Sequence, residues 1–135
     1  MTARVNWRGR EVLALADRAA ADAIDATMSA AILDAKANHG AGAHSVQRFI
    51  TRTAELERSV RIVAPARRDA RSMVGRWGSQ GLAYARRIEV GFQGQDRAGR
   101  MVDADAYPYL RPAAEREYPK LADRIRRAFR RLESR

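Results

Sequence analysis

A helical repeat of small apolar residues is the feature of this sequence that most restricts its fold. Between about Gly9 and Asn38, apolar side chains recur at intervals of three and four, the spacing that places residues on one face of an α-helix. Alanine, with 27 copies in the chain, supplies much of this stripe and has the highest helix propensity. The stripe predicts one long helix whose buried face consists of small side chains, so that a partner element can approach it closely.

The remainder of the chain shows shorter periods. They predict a short helix at 45–53, strands at 56–62, 72–77 and 84–90, a basic connection at 65–69 and a turn at 78–81. Residues 92–107 lack a period and predict a long flexible loop. A second helical stripe begins near Pro112 and contains Pro119, which must kink or restart the helix. We therefore predict a single α+β domain over 1–135, with a long N-terminal helix and a C-terminal helix packed on a small antiparallel β-sheet and a long loop before the last helix.

The composition argues against several classes of protein. The chain contains no cysteine, which excludes disulfide scaffolds, thiol nucleophiles and cysteine-ligated zinc. Aspartates interrupt the most Ala-rich stretch, 19–37, so we do not expect it to cross a membrane. The first residues lack the apolar run of a signal peptide, and we expect a soluble intracellular protein.

Residues that could support catalysis or bind a metal are not arranged in a recognisable pattern. His39 and His44 flank a glycine-rich turn, and no set of further ligands lies near them in the sequence. Glu89 has no second carboxylate at a fixed spacing. We expect no enzyme activity, no cofactor and no metal site.

The positive charge is concentrated in the second half of the chain. The chain has 26 basic and 16 acidic residues, a net charge of +10, and 24 of the basic residues are arginine. A C-terminal group of arginines falls mostly on the helix face opposite the apolar stripe: Arg124, Arg126, Arg127, Arg130 and Arg131. Such a face could lie along a DNA backbone, which makes a small basic DNA-binding protein the alternative function. An ordinary solvated helix face has the same pattern, and a helical partner-binding module, such as a toxin–antitoxin component, is a third possibility.

Several short motifs follow one another in an order that resembles a known family. Trp7 and the long helix ending near Ala35-Lys36 come first. The later motifs are Thr-Ala-Glu-Leu-Glu-Arg-Ser-Val at 53–60, Tyr-Ala at 84–85, Ile-Glu-Val-Gly at 88–91 and Pro-Tyr-Leu-Arg-Pro-Ala at 108–113. This order resembles the small neck or tail-completion proteins of long-tailed phages and prophages. The chain departs from the family pattern at Ala54, where glycine is usual, in the basic stretch 64–76 and in the loop 92–107.

The resemblance implies a structural protein of the virion, located in the neck or tail region and assembled in the host cytoplasm. It implies a homo-oligomeric ring, a hexamer or a dodecamer, that joins the head-completion or adaptor proteins to the tail tube or the tail terminator, without a membrane partner. DNA passing through the channel is a possible non-specific contact. The residues we assign to interfaces are Glu89, Gly91, Tyr109, Arg111, Arg126, Arg127, Arg130 and Arg131.

Two finer expectations concern these interface residues. Glu89 is expected to pair with an arginine, with Arg111 as the candidate, and so to fix segment 108–112 against the sheet. The C-terminal arginines are expected to meet acidic surfaces of neighbouring rings in preference to lining the DNA channel. Trp7 and Trp77 are expected to be core or interface anchors.

Overall fold

The chain folds around one long helix that contacts both a β-hairpin and the C-terminal helices. The structure, a computed structural model, describes residues 2–37 and 55–135. The helices are α1 (Gly9–Ala37), α2 (Glu55–Ser59), α3 (Ala85–Val90), α4 (Leu110–Glu117) and α5 (Leu121–Glu133), with a 3-10 turn at Tyr118–Lys120 between the last two. The strands are β1 (Val60–Asp69), β2 (Ser72–Ser79), β3 (Phe92–Gln95) and β4 (Met101–Ala104), paired as two separate antiparallel hairpins. The α+β class, the long N-terminal helix and the C-terminal helix are confirmed, whereas the predicted helix at 45–53 lies outside the described residues.

Helix α1 buries a stripe of small residues, as its sequence predicts. Its buried alanines are Ala19, Ala23, Ala31 and Ala35. Ala128 of α5, the helix that packs against α1, is also buried. Strand β2 also comes close to α1, because at Gly75 a Cβ atom would lie only 2.6 Å from the Met28 methyl group. Small side chains on the facing surfaces thus bring the helix, the hairpin and α5 together.

The β1–β2 hairpin differs from the two strands predicted here. Residues 55–59 are helical, because Leu56 and Ser59 are both buried at the three-residue spacing of a helix turn. Strand β1 begins at Val60 and continues through Pro65 to Asp69, where the sequence predicted a basic connection. The register shifts between Ala64 and Arg67, and proline is tolerated in edge strands and at such irregularities.

Segment 84–107 also differs from its prediction. Residues 85–90 form α3 and not a strand, because the apolar residues Ala85 and Ile88 face the core at helical spacing. The loop expected at 92–107 contains the β3–β4 hairpin. Asp96 closes its turn by accepting hydrogen bonds from the backbone amides of Ala98 (2.8 Å) and Arg100 (2.9 Å). These hydrogen bonds also keep the pKa of the Asp96 carboxyl below its usual range, with the Arg100 backbone contact the largest cause.

The C-terminal region confirms the predicted effect of Pro119. Helix α4 ends at Glu117, the 3-10 turn contains Pro119, and α5 begins at Leu121. The core lies where α1, the start of β1, α3 and α4 meet. Its buried residues are Ala35, Leu56, Val60, Ala85, Tyr109 and Ala113.

Candidate assembly interface

Glu89 joins α3 to the first turn of α4. One carboxylate oxygen accepts hydrogen bonds from the backbone amides of Tyr109 (2.8 Å) and Leu110 (3.0 Å), and the other accepts one from the amide of Arg111 (2.8 Å). The first amides of a helix have no partner within the helix, and the N-cap residue Tyr109 provides no side-chain cap. A carboxylate from a neighbouring helix therefore satisfies them and also complements the positive end of the helix dipole.

The prediction that Glu89 pairs with the Arg111 side chain is wrong, because Glu89 contacts the backbone of Arg111. Glu89 does fix segment 108–112, but it binds the backbone amide of Arg111, whereas the guanidinium is exposed and forms no ion pair within 2–37 and 55–135. A second link strengthens the junction, since the amide of Tyr107 donates to the carbonyl of Ile88 at 2.7 Å. Among the described residues, nothing competes with solvent for the Arg111 guanidinium.

Tyr109 belongs to the core of the single chain and not to its surface. The residue is 0% exposed, and its hydroxyl lies 2.6 Å from the Ser79 hydroxyl of β2. Burial raises the pKa of the Tyr109 hydroxyl above its usual value, so the side chain is neutral at physiological pH. Its contribution is to hold the start of α4 against the hairpin.

Gly91 provides the bend between α3 and β3. Its φ of 77° and ψ of 176° fall in a region that only glycine readily adopts. A Cβ atom at this position would lie 2.9 Å from the backbone carbonyl oxygen of Ala104. Gly91, like Tyr109, therefore has a structural role within the single chain.

The four C-terminal arginines are exposed on α5, but their surroundings differ. Arg126 pairs with Asp123 at 2.6 Å on the outer surface of the helix. Arg127 and Arg131 border a cleft between α5 and α1 that Asp22 also lines. The structure therefore places Arg127 and Arg131 beside α1, while Arg126 and Arg130 are the outward pair.

An ion-pair cluster that the sequence did not single out attaches the C-terminal helices to α1. The buried Glu117 carboxylate binds Lys120 at 2.8 Å and Arg124 at 2.6 Å, and Arg124 also donates to the Thr27 hydroxyl of α1 at 3.2 Å. The hydrogen bonds from Lys120 and Arg124 keep the pKa of the Glu117 carboxyl below its usual range. Lys120 and Arg124 follow Glu117 by three and seven residues, spacings that place side chains on one face of a helix. This spacing is the sequence signal by which the cluster could have been found.

The two tryptophans have different environments. Trp77 packs against the core, and its indole nitrogen donates to the Tyr118 hydroxyl at 2.9 Å. Trp7 precedes α1 and is exposed. Of the two, only Trp77 contributes to the core of the described chain.

Comparison of the sequence and the structure with known protein families, curated proteins and solved structures gave no match. Among residues 2–37 and 55–135, no three acidic or histidine side chains form a group that could hold a metal ion. The helices in the same residues include none with both the length and the apolar character needed to cross a membrane. His39 and His44 lie outside the described residues.

Proposed function

We propose that this chain is a structural subunit of the phage head-to-tail connector, a non-catalytic protein that assembles into a ring in the neck or tail region of the virion. The observation that carries the proposal is the Glu89 junction. It joins two of the segments that carry the family resemblance, 84–91 and 108–113, through three hydrogen bonds. The contact supports the proposal because it gives two of the motifs a shared structural role.

Unsatisfied surfaces provide further support for an assembly. Within the described residues, β1 and β2 pair only with each other, so each has an outer edge without a strand partner. Open strand edges in folded proteins are usually covered, and a neighbouring subunit is one means of covering them. The exposed Trp7 is a second surface of this kind.

The positive charge fits contacts with acidic neighbouring proteins. The guanidinium groups of Arg111 and Arg130 are exposed and form no ion pair with described residues. Charged surfaces of this kind determine which partners bind and in what orientation more than they determine affinity. We infer that they face adjacent head-completion, adaptor or tail proteins, because a strongly cationic lumen would retain DNA.

The experiment that tests the proposal is the mass of the purified protein in solution. Multi-angle light scattering behind size exclusion, at low and moderate salt and with and without duplex DNA, separates the candidates. A mass that corresponds to a discrete hexamer or dodecamer, and that does not change when duplex DNA is added, supports the ring. A monomer or dimer that binds duplex DNA, with an affinity that falls steeply with salt, contradicts it and favours the alternative.

The second candidate, a small DNA-binding protein, has one observation in its favour. Besides the exposed α5 arginines, the β1–β2 hairpin carries three further exposed arginines: Arg61, Arg67 and Arg76. Changing Arg126, Arg127, Arg130 and Arg131 to Gln tests the helix, and changing Arg61, Arg67, Arg71 and Arg76 to Gln is the charge-matched control. If only the first variant loses DNA binding, the predicted helical DNA site is supported.

A further inference from the structure

A cavity with three arginines in its wall lies between the start of α3 and the turn that joins β3 to β4. It encloses about 420 Å³, a volume typical of sites for small ligands. Its charged lining residues, which define the arginine cavity, are Arg87 of α3 and Asp96, Arg97 and Arg100 of the turn. Tyr84 also lines it, and the Glu55 carboxylate, outside the lining, contacts the Tyr84 hydroxyl at 3.5 Å. None of the lining residues is assigned to the assembly interface.

The positive charge of the arginine cavity is only partly balanced by the chain. Asp96 is the one acidic residue of its described lining, and both of its carboxylate oxygens are in use. One oxygen accepts the backbone amides of Ala98 and Arg100, and the other binds the Arg100 guanidinium at 2.9 Å. Arg87 and Arg97 form no ion pair and donate no side-chain hydrogen bond among the described residues. Two positive charges of the lining therefore have no partner charge.

Two of the three guanidinium groups are held in place before any ligand binds. Arg87 stacks on the Phe92 ring, with its Cζ atom 4.0 Å from the ring centre. Stacking uses the face of the guanidinium and leaves the N–H groups at its edge available as donors. Arg100 is fixed by Asp96 through Nε and Nη2, so its Nη1 group remains available. Groups that are already ordered lose less conformational entropy when they bind a ligand.

A phosphate monoester matches this arrangement better than other common anions do. It carries roughly two negative charges at neutral pH and presents three terminal oxygens. It can therefore compensate both unpaired charges and accept hydrogen bonds from three guanidinium groups, whose planar geometry suits phosphate. A carboxylate has two oxygens and one charge, and a phosphodiester within a DNA strand also has one charge.

We propose that the arginine cavity binds the phosphate group of a phosphate monoester. Arg87 and Arg97 are the principal ligands, and Arg100 adds a donor from the turn. Because Arg87 belongs to α3 and Arg97 to the β3–β4 turn, one bound phosphate links the two elements. The site does not depend on ring assembly and lies beyond the proposed connector function. A small phosphorylated compound and the phosphorylated end of a nucleic-acid strand present the same group.

Isothermal titration calorimetry of the full chain tests the site, with inorganic phosphate as the probe at low ionic strength. We expect saturable binding, and acetate at the same ionic strength should bind at least about 10-fold more weakly. Arg87→Gln and Arg97→Gln should each weaken phosphate binding by at least about 5-fold. Arg130→Gln is the charge-matched control and should leave binding unchanged, because Arg130 is an exposed arginine of α5 without an ion pair among the described residues.

Thermal unfolding provides a second readout and checks the fold of each variant. Phosphate should raise the unfolding midpoint of the wild type and of Arg130→Gln, because a ligand that binds only the folded chain stabilises it. The midpoints of Arg87→Gln and Arg97→Gln should respond far less to phosphate. Without phosphate, their circular dichroism spectra should match that of the wild type, since both side chains are exposed.

Two DNA duplexes distinguish the sources of the phosphate group, one with 5′-phosphate ends and the same duplex with 5′-hydroxyl ends. Tighter binding of the phosphorylated duplex, lost in Arg97→Gln, supports the site and identifies a strand end as its ligand. Equal binding of the two duplexes, together with binding of inorganic phosphate, supports the site and identifies a small phosphorylated compound.

Three results would overturn the inference and leave the connector proposal intact. The first is a wild-type chain that binds no inorganic phosphate. The second is an equal loss of binding in Arg87→Gln, Arg97→Gln and Arg130→Gln, which would trace the binding to net charge alone. The third is acetate binding as tight as phosphate binding, which would show that the cavity accepts carboxylates without preference for phosphate.

Discussion

Glu89 and Arg111 are joined through a side chain and a backbone, not through two side chains. The Glu89 carboxylate accepts the amide hydrogen of Arg111 at 2.8 Å, and its second oxygen accepts the two amides before it. The cap of α4 therefore comes from a residue 22 positions earlier in the chain. This long-range cap explains how a helix without a capping side chain at Tyr109 begins at Leu110.

The first prediction follows from this geometry. Glu89→Ala should lower the free energy of unfolding by about 2 kcal/mol, because it leaves three amides without their charged acceptor. Arg111→Ala should change it by less than about 0.5 kcal/mol, because the contact uses only the backbone. Urea denaturation of the two variants and the wild type provides the measurement.

Glu89→Gln is the matched control for charge. It retains one acceptor oxygen and should fall between the wild type and Glu89→Ala. An Arg111→Ala variant as unstable as Glu89→Ala would show that the guanidinium, and not the amide, holds the junction.

Gly91 gives the second prediction. Gly91→Ala should destabilise the fold by about 2–3 kcal/mol, because φ is 77° and the added methyl group meets the Ala104 carbonyl oxygen. Gly99 also has a positive φ, but open space surrounds it, so Gly99→Ala should cost only about 1 kcal/mol. Thermal unfolding of the pair measures the difference, and equal losses would argue against a steric role for Ala104.

The Glu117 cluster gives a prediction about pH. Hydrogen bonds from Lys120, and then from Arg124, lower the pKa of Glu117 in the folded protein. Its stabilising effect is therefore fully present above the unfolded pKa and is lost as the pH falls through the folded pKa. Glu117→Gln should cost about 2 kcal/mol near pH 7, and the difference from the wild type should shrink progressively on acidification. Unfolding curves between about pH 7 and about pH 3 test this trend.

The arginines of α5 give a fourth prediction, about which of them stabilise the fold. Arg124→Gln should lower stability by about 2 kcal/mol, because the mostly buried guanidinium binds both Glu117 and Thr27. Arg127→Gln, one turn along the same helix and exposed, should stay within about 0.5 kcal/mol of the wild type. Guanidinium chloride denaturation at matched ionic strength compares the two variants. Equal losses of unfolding free energy would contradict the stabilising role of the Arg124 contacts.

The sequence predicted the elements whose signal is local and long. Helix α1 repeats its apolar spacing over many turns, and alanine favours the same conformation at each position, so the predicted bounds agree with Gly9–Ala37. Pro119 acts on its own helix turn and interrupts the C-terminal helix where predicted. The small residues of the α1 stripe also predicted that other elements pack closely against α1, as β2 and α5 do.

Short segments were decided by tertiary contacts. Six residues at 85–90 fit an alternating pattern as well as a helix turn, and the core selected the helix by burying Ala85 beside Ile88. Pro65 suggested a break in the chain, yet β1 continues through it because the hairpin accommodates an irregular register.

At the candidate site, the sequence motifs singled out three residues whose contacts only the fold reveals, and they did not single out the ion-pair cluster around Glu117. Glu89, Gly91 and Tyr109 stand out in their motifs, but their roles depend on atoms distant in sequence: the α4 amides, the Ala104 carbonyl and the Ser79 hydroxyl. Helix periodicity and proline breaks depend on residues close together in the chain, so the sequence alone predicts them. Burial and capping from another helix exist only once distant segments have packed together, as at Tyr109 and at the first amides of α4.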